Sequence, residues 1–421
     1  MKRNDHHRVR AAWQVALLWG VLLPLTASGA DHSGHMAANS GSADRSAMWR
    51  AALQRAPLSA TGYFDQHGTL WVASVQEGHL QLVHSSDSGM SYSAPVQVNA
   101  QPEAIAADGE NRPKIAVDGD GILYLSWTRL FAEKPFSGDI RFSRSSDGGK
   151  SFSPPVTVND NREVISHRFD ALGVNQRGEL YIAWLDKRDQ SSAQRAGQKY
   201  DGAALYYAVS RDGGRHFDKN VKVVDHSCEC CRVAMAMDRD GVPVVLWRHV
   251  YDGNVRDHAL QRLDGRSTPQ RATHDAWRID ACPHHGPALA IGSDGNYHQV
   301  WFSGAEEQHG LFYARSADQG KSFSTPLRFG NDAAQAGHAD VLSRVNAVFI
   351  VWKEFDGNAT LIRMMRSTDN GQHWDAPQSV ATSHGPSDHP LLIADRTSVY
   401  LSWNTAQEGY RLIALGSVEG K

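Results

Sequence analysis

The stretch Ser145-Ser146-Asp147-Gly148-Gly149-Lys150-Ser151-Phe152 reads as a tight hairpin turn. Its Asp folds back onto nearby backbone N–H groups, its glycine supplies a positive φ, and its closing aromatic packs beneath the next strand. A single match to such a pattern would say little. Here Ser-x-Asp-x-Gly-x-x-aromatic returns as Ser85/Asp87/Gly89/Tyr92, Ser210/Asp212/Gly214/Phe217, Ser316/Asp318/Gly320/Phe323 and Ser367/Asp369/Gly371/Trp374. The steps from Asp to Asp are 60, 65, 106 and 51 residues, so the long step spans two repeats, one of which has lost its turn.

Between the turns runs a second pattern: an apolar strand, a Gly turn, then an alternating strand that ends in Trp. Ile115-Ala116-Val117-Asp118 followed by Leu123-Tyr124-Leu125-Ser126-Trp127 is one copy, and Trp184, Trp247, Trp301, Trp352 and Trp403 mark the others. Leu70-Trp71-Val72-Ala73 opens the series with Ser74 at the Trp position. Period-two alternation with Gly/Asp/Asn punctuation means short antiparallel strands. Seven units of about 50 residues predict an all-β propeller of seven four-stranded blades, with six blades as the alternative. The seventh unit stops near Leu415, before a fourth strand, so a segment around Met48–Leu58 is expected to complete that blade. The propeller domain is expected to span residues 48–421.

These units resemble the sialidase-like Asp-box (BNR-repeat) β-propellers over roughly residues 60–415. Arg112-Pro113-Lys114-Ile115-Ala116-Val117-Asp118, read through to Phe152, carries the resemblance furthest. It implies a glycoside hydrolase acting on an acidic sugar through three arginines. Family members carry an Arg-Ile-Pro element near the first blade, whereas here Arg112 stands directly before Pro113. Neither the family's Tyr/Glu nucleophile pair nor its Asp acid/base falls on a matching motif, and the turn itself is structural.

Lys2, Arg3, Arg8 and Arg10 precede an apolar run from Ala11 to Leu25 and small residues through Ser28-Gly29-Ala30. This is the layout of a cleaved secretory signal over residues 1–30, too short in its apolar part for a membrane span. Cleavage would remove four Lys/Arg and one Asp and take the net charge from −3 to −6. The expectation is therefore a periplasmic or secreted protein with no membrane span in its mature chain. No basic run suggests nucleic acid. Residues 31–47, rich in Gly, Ser, Ala and His, read as a flexible tail.

All four cysteines lie in two short stretches, Cys228-Glu229-Cys230-Cys231 and Cys282-Pro283-His284-His285. Aligned on the turns that follow, Asp240-Gly241 and Asp294-Gly295, Cys228 matches Cys282, Cys230 matches His284 and Cys231 matches His285. Thiolate and imidazole replace each other as ligands of zinc or copper and seldom otherwise. Their appearance at matching points of neighbouring repeats predicts one metal site built from two blades. The competing reading is a disulfide, for which Cys228–Cys282 is the natural pair in an exported protein. A bridge between the adjacent Cys230 and Cys231 would be strained.

Sixteen residues before Trp127, Trp184, Trp247 and Trp301 stand Asn111, Arg168, Cys231 and His285, and fourteen before Trp352 and Trp403 stand His338 and His389. If the first strand of each blade lines the axis, these six residues form one ring around it. The candidate metal ligands are Cys228, Cys230, Cys231, Cys282, His284, His285, His338 and His389. Arg112, Arg168 and Arg232 lie at nearly one level and would suit a small acidic ligand. A chain cut after Ala30 begins Asp31-His32-Ser33-Gly34-His35-Met36, which adds His32, His35 and Met36 as a secondary site and tilts the metal toward copper over zinc. Three functions stay open: a copper-handling or redox propeller, a sialidase-like hydrolase, and a propeller that serves as a platform for a partner protein.

Overall fold

The computed structural model describes residues 57–281 and 283–417. They form seven sheets, each a simple up-and-down meander, and the chain visits them in order. Six sheets have four strands and the last, from Leu391 to Ser417, has three. The fold is a seven-bladed β-propeller. The segment expected to complete the last blade lies, up to residue 56, outside the described residues, while 57–60 are not in a strand.

Blade faces are apolar on both sides because each is sandwiched between neighbours. In the second strand of the third blade, Leu180–Asp186, every residue is buried. Trp71 and Leu82 of the first blade pack in one cluster with Leu123, Leu125 and Trp127 of the second. The repeat Trp is buried in six blades, and its indole N–H usually ends on a carboxylate. Trp127 donates to Glu103, Trp184 to Asp186, Trp301 to Asp275 and Trp352 to Glu354, at 2.8–2.9 Å.

All five repeated turns share one bonding scheme, with a His imidazole in place of the last Ser hydroxyl at His216 and His373. In Ser145–Phe152 the Ser145 hydroxyl donates to Asp147 at 2.7 Å and accepts from the Gly149 N–H at 3.0 Å. The other Asp147 oxygen accepts from the Ser151 hydroxyl at 2.5 Å. The fourth blade replaces this turn with Asp264, which accepts from the backbone N–H groups of Arg266 and Ser267. Each turn follows the third strand of its blade, so in an antiparallel meander it sits at the opposite end from where the first strand begins. The ring residues lie at that other end. One departure is a helix, Arg188–Arg195, placed between the second and third strands of the third blade and exposing its polar side chains.

Candidate functional site

The inner strands begin at Thr61, Lys114, His167, Ala234, Ala288, Gly337 and Leu391. Their leading residues converge on the axis because the strands pack side by side around it. The ring expected from counting is visible where imidazoles meet. His285 stacks on His338 with ring centroids 4.4 Å apart, and His338 stacks on His389 at 3.5 Å. His338 holds a left-handed backbone, φ 53°, beside a register shift in its strand pair. Asn111, at the same level, accepts from the Phe169 N–H and the Thr128 hydroxyl, tying the second blade to the third.

The centre of this ring is a residue the repeat pattern does not mark. Glu110 reaches from the loop before the second blade's first strand and is almost fully buried. One of its oxygens accepts from the backbone N–H groups of Arg232 at 3.1 Å and Gly286 at 2.9 Å. The other accepts from the Arg232 guanidinium at 3.0 Å and faces Nδ1 of His338 at 3.4 Å and of His389 at 3.7 Å. Burial would raise its pKa, but Arg232 and His338 outweigh burial and hold the carboxyl well below the usual range. Burial also lowers the pKa of His338, and lowers those of His285 and His389 further. The only sequence signal for Glu110 is its place beside ring residue Asn111. Its partners lie 122–279 residues away, beyond any local pattern.

A second cluster is sulfur. Cys228, Cys230 and Cys231 are buried, and the Cys228 Sγ lies 3.8 Å from that of Cys230 and 3.6 Å from that of Cys231. All three sulfurs lie within 4.8 Å of one another. Cys228 and Cys231 are free thiols. Hydrogen bonds from Cys230 and Cys231 hold the Cys228 thiol well below its ordinary pKa, helped by Arg256 and Arg248, while burial pushes Cys231 well above. The Arg256 guanidinium lies 3.4 Å from the Cys228 sulfur and also lines a cavity of about 860 Å³ with Tyr200, Glu229, Tyr251 and Asp280.

The structure therefore divides the expected metal residues. It gathers Cys228, Cys230 and Cys231 in one place, and His285, His338 and His389 around Glu110 in another. Arg248 touches both neighbourhoods, donating to the His285 carbonyl at 3.0 Å and acting on Cys228 through its charge. His284 has a left-handed backbone, φ 51°. Cys282, and His32, His35 and Met36 of the tail, lie outside the described residues. Of the three arginines, Arg112 makes a two-point ion pair with buried Asp388 at 2.9 and 3.0 Å, and Arg232 pairs with Glu110. The Arg168 guanidinium lies 4.8 Å over the Phe169 ring.

No family model matches the sequence, and no curated protein matches it. Solved structures share the fold at low identity. The lectin BP39L from Burkholderia pseudomallei is 12% identical, with a TM-score of 0.53 over 86% of this chain and 99% of that one. An ulvan lyase of polysaccharide lyase family PL25 is 11% identical, with a TM-score of 0.53 over 86% and 94%. A protein of unknown function from Dyadobacter fermentans is 16% identical, with a TM-score of 0.51 over 76% and 96%. These likenesses concern the fold alone. Among the described residues no helix is long and apolar enough to cross a membrane.

Proposed function

We propose that this propeller is an exported copper-binding protein that holds Cu(I) on Cys228, Cys230 and Cys231, for copper handling or redox chemistry. The spacing of the sulfurs carries the reading. At 3.6–3.8 Å they are far beyond a disulfide bond of about 2.05 Å. They also stand at the separation, about 3.8 Å, that bonds of about 2.3 Å to one tetrahedral metal would impose. Thiolates favour Cu(I) and also accept zinc. Arg256 supports the thiolate form at Cys228, because a neighbouring cation favours the ligating anion. The cavity ends on Arg256, one side chain away from the Cys228 sulfur. The expected secretory signal and the His32, His35, Met36 tail fit a chain that meets copper outside the cytoplasm.

The hydrolase alternative draws less support. Glycosidase chemistry needs two carboxyl or phenol groups beside the scissile bond. Asp139 is engaged by Arg129, and Asp186 is buried against His167 and Arg188. Arg112 and Arg232 already have internal carboxylates.

The test is competition with a colorimetric Cu(I) chelator under anaerobic conditions. The full chain should hold about one Cu(I) tightly, and Cys228→Ser with Cys231→Ser should lose it, while deletion of residues 31–47 should not. Unchanged stoichiometry and affinity in the double variant, with native far-UV dichroism, would return these cysteines to a packing role.

A further inference from the structure

We infer that Glu110, His338 and His389 form a second metal site, distinct from the thiols and suited to a divalent ion of borderline softness such as Zn(II). The inference does not depend on what the cysteines do.

Distances carry it first. Both imidazole Nδ1 atoms face one Glu110 oxygen, at 3.4 and 3.7 Å. A good N–H···O bond is 2.7–3.2 Å long, so these contacts are poor hydrogen bonds. Ligand atoms on one tetrahedral ion, with bonds of about 2.0–2.2 Å, stand about 3.3–3.6 Å apart. The three donor atoms lie within 4.8 Å of one another. The His389 Nδ1 atom is itself buried and makes no hydrogen bond. Two imidazole nitrogens facing one carboxylate oxygen at these separations form a ligand arrangement.

The surroundings are built for it. Backbone N–H groups of Arg232 and Gly286 fix the far oxygen of Glu110, which orients the near one. The Arg232 guanidinium shares that near oxygen, as an outer partner of a ligating carboxylate does. A Cβ at Gly109 would come within 2.1 Å of the His389 Nδ1, and one at Gly286 within 2.7 Å of a Glu110 oxygen. Both positions therefore need the missing side chain. His285 walls one side by stacking on His338. The side chains of His338 and His389 keep 18% and 12% of their surface open. Two imidazoles and a carboxylate form a harder set than three sulfurs. The chain thus offers Cu(I) and a divalent ion different ligands on one rigid ring.

Zn(II) titration of the full chain carrying Cys228→Ser and Cys231→Ser tests this, read by bound zinc and by the thermal midpoint. The parent should bind zinc and gain several degrees on binding. Adding His338→Gln with His389→Gln should lower bound zinc by one ion per chain and remove the thermal gain. Adding Glu110→Gln should weaken the same ion. To separate loss of binding from misfolding of the Cys→Ser chain, the same His variants in the otherwise wild-type chain provide a second reading, again one zinc fewer. Retention of every zinc ion, with unchanged affinity, in the His338/His389 variants of either background would overturn the site. Loss of Cu(I) in the Cys variants alone would bear only on the thiol reading.

Discussion

Asp275 is a buried carboxyl that accepts the indole N–H of Trp301 at 2.8 Å. Burial raises its pKa from the ordinary 3.8 to about 6, with Asp257 adding repulsion. A carboxyl whose pKa is raised on folding binds more protons in the native state. Stability therefore falls as pH rises from about 4 to about 6, and the cost is fully present above 6. Asn mimics the protonated acid and keeps an acceptor for Trp301. Asp275→Asn should stabilise the protein by roughly 2–3 kcal/mol at pH 7.5 and by close to nothing at pH 4. Urea unfolding of both chains at the two pH values checks this, and a gain independent of pH would contradict it. Glu110 is the opposite case at this scale: a buried carboxylate kept charged by Arg232 and two backbone N–H groups. Asp275 is held by the neutral donors Trp301 and Thr273, with Arg248 acting through its charge, and burial prevails.

The repeated turn is the element that most strongly specifies a blade, and its two adjacent glycines separate two effects. Gly148 and Gly149 both have positive φ, 72° and 79°. A Cβ at Gly148 would meet open space, whereas one at Gly149 would fall 2.8 Å from the Trp71 ring of the preceding blade. Gly148→Ala should cost only the left-handed backbone, about 1–2 kcal/mol. Gly149→Ala should cost clearly more, because Trp71 must move in a packed interface. Equal costs in denaturant melts would mean that the turn does not key one blade to the next. Sequence located these turns because Ser, Asp, Gly and the aromatic act within eight residues. It also brought out His285, His338 and His389, which stack in series, since sixteen or fourteen residues back from each Trp measures one hairpin. The helix Arg188–Arg195 gave no such signal: it buries no residue and carries no apolar stripe.

At the scale of the molecule, the described first and last blades are joined by side chains. Buried Asp388, in the last blade, accepts from the Ser59 hydroxyl at 2.8 Å and the Ala60 N–H at 3.2 Å, and it pairs with Arg112 of the second. Asn404 adds a bond to the Leu58 carbonyl at 2.6 Å. Removing one partner of a buried ion pair leaves the other charged and unpaired, so Asp388→Ala should destabilise by about 3–5 kcal/mol. Calorimetry should show a lower midpoint, and an unchanged one would place closure elsewhere. The seven-blade count, the strand order and the level of each ring residue followed from local repetition, because hairpins are set by neighbours in the chain. Which ring residues share a partner did not follow. Glu110 meets Arg232, Gly286, His338 and His389 only after seven blades close, and in the closed ring Cys228, Cys230 and Cys231 form one group while His338 and His389 join Glu110 in another. Repeat alignment preserves level around the axis but carries no information on distance across it, and distance is what decides which atoms can hold one ion.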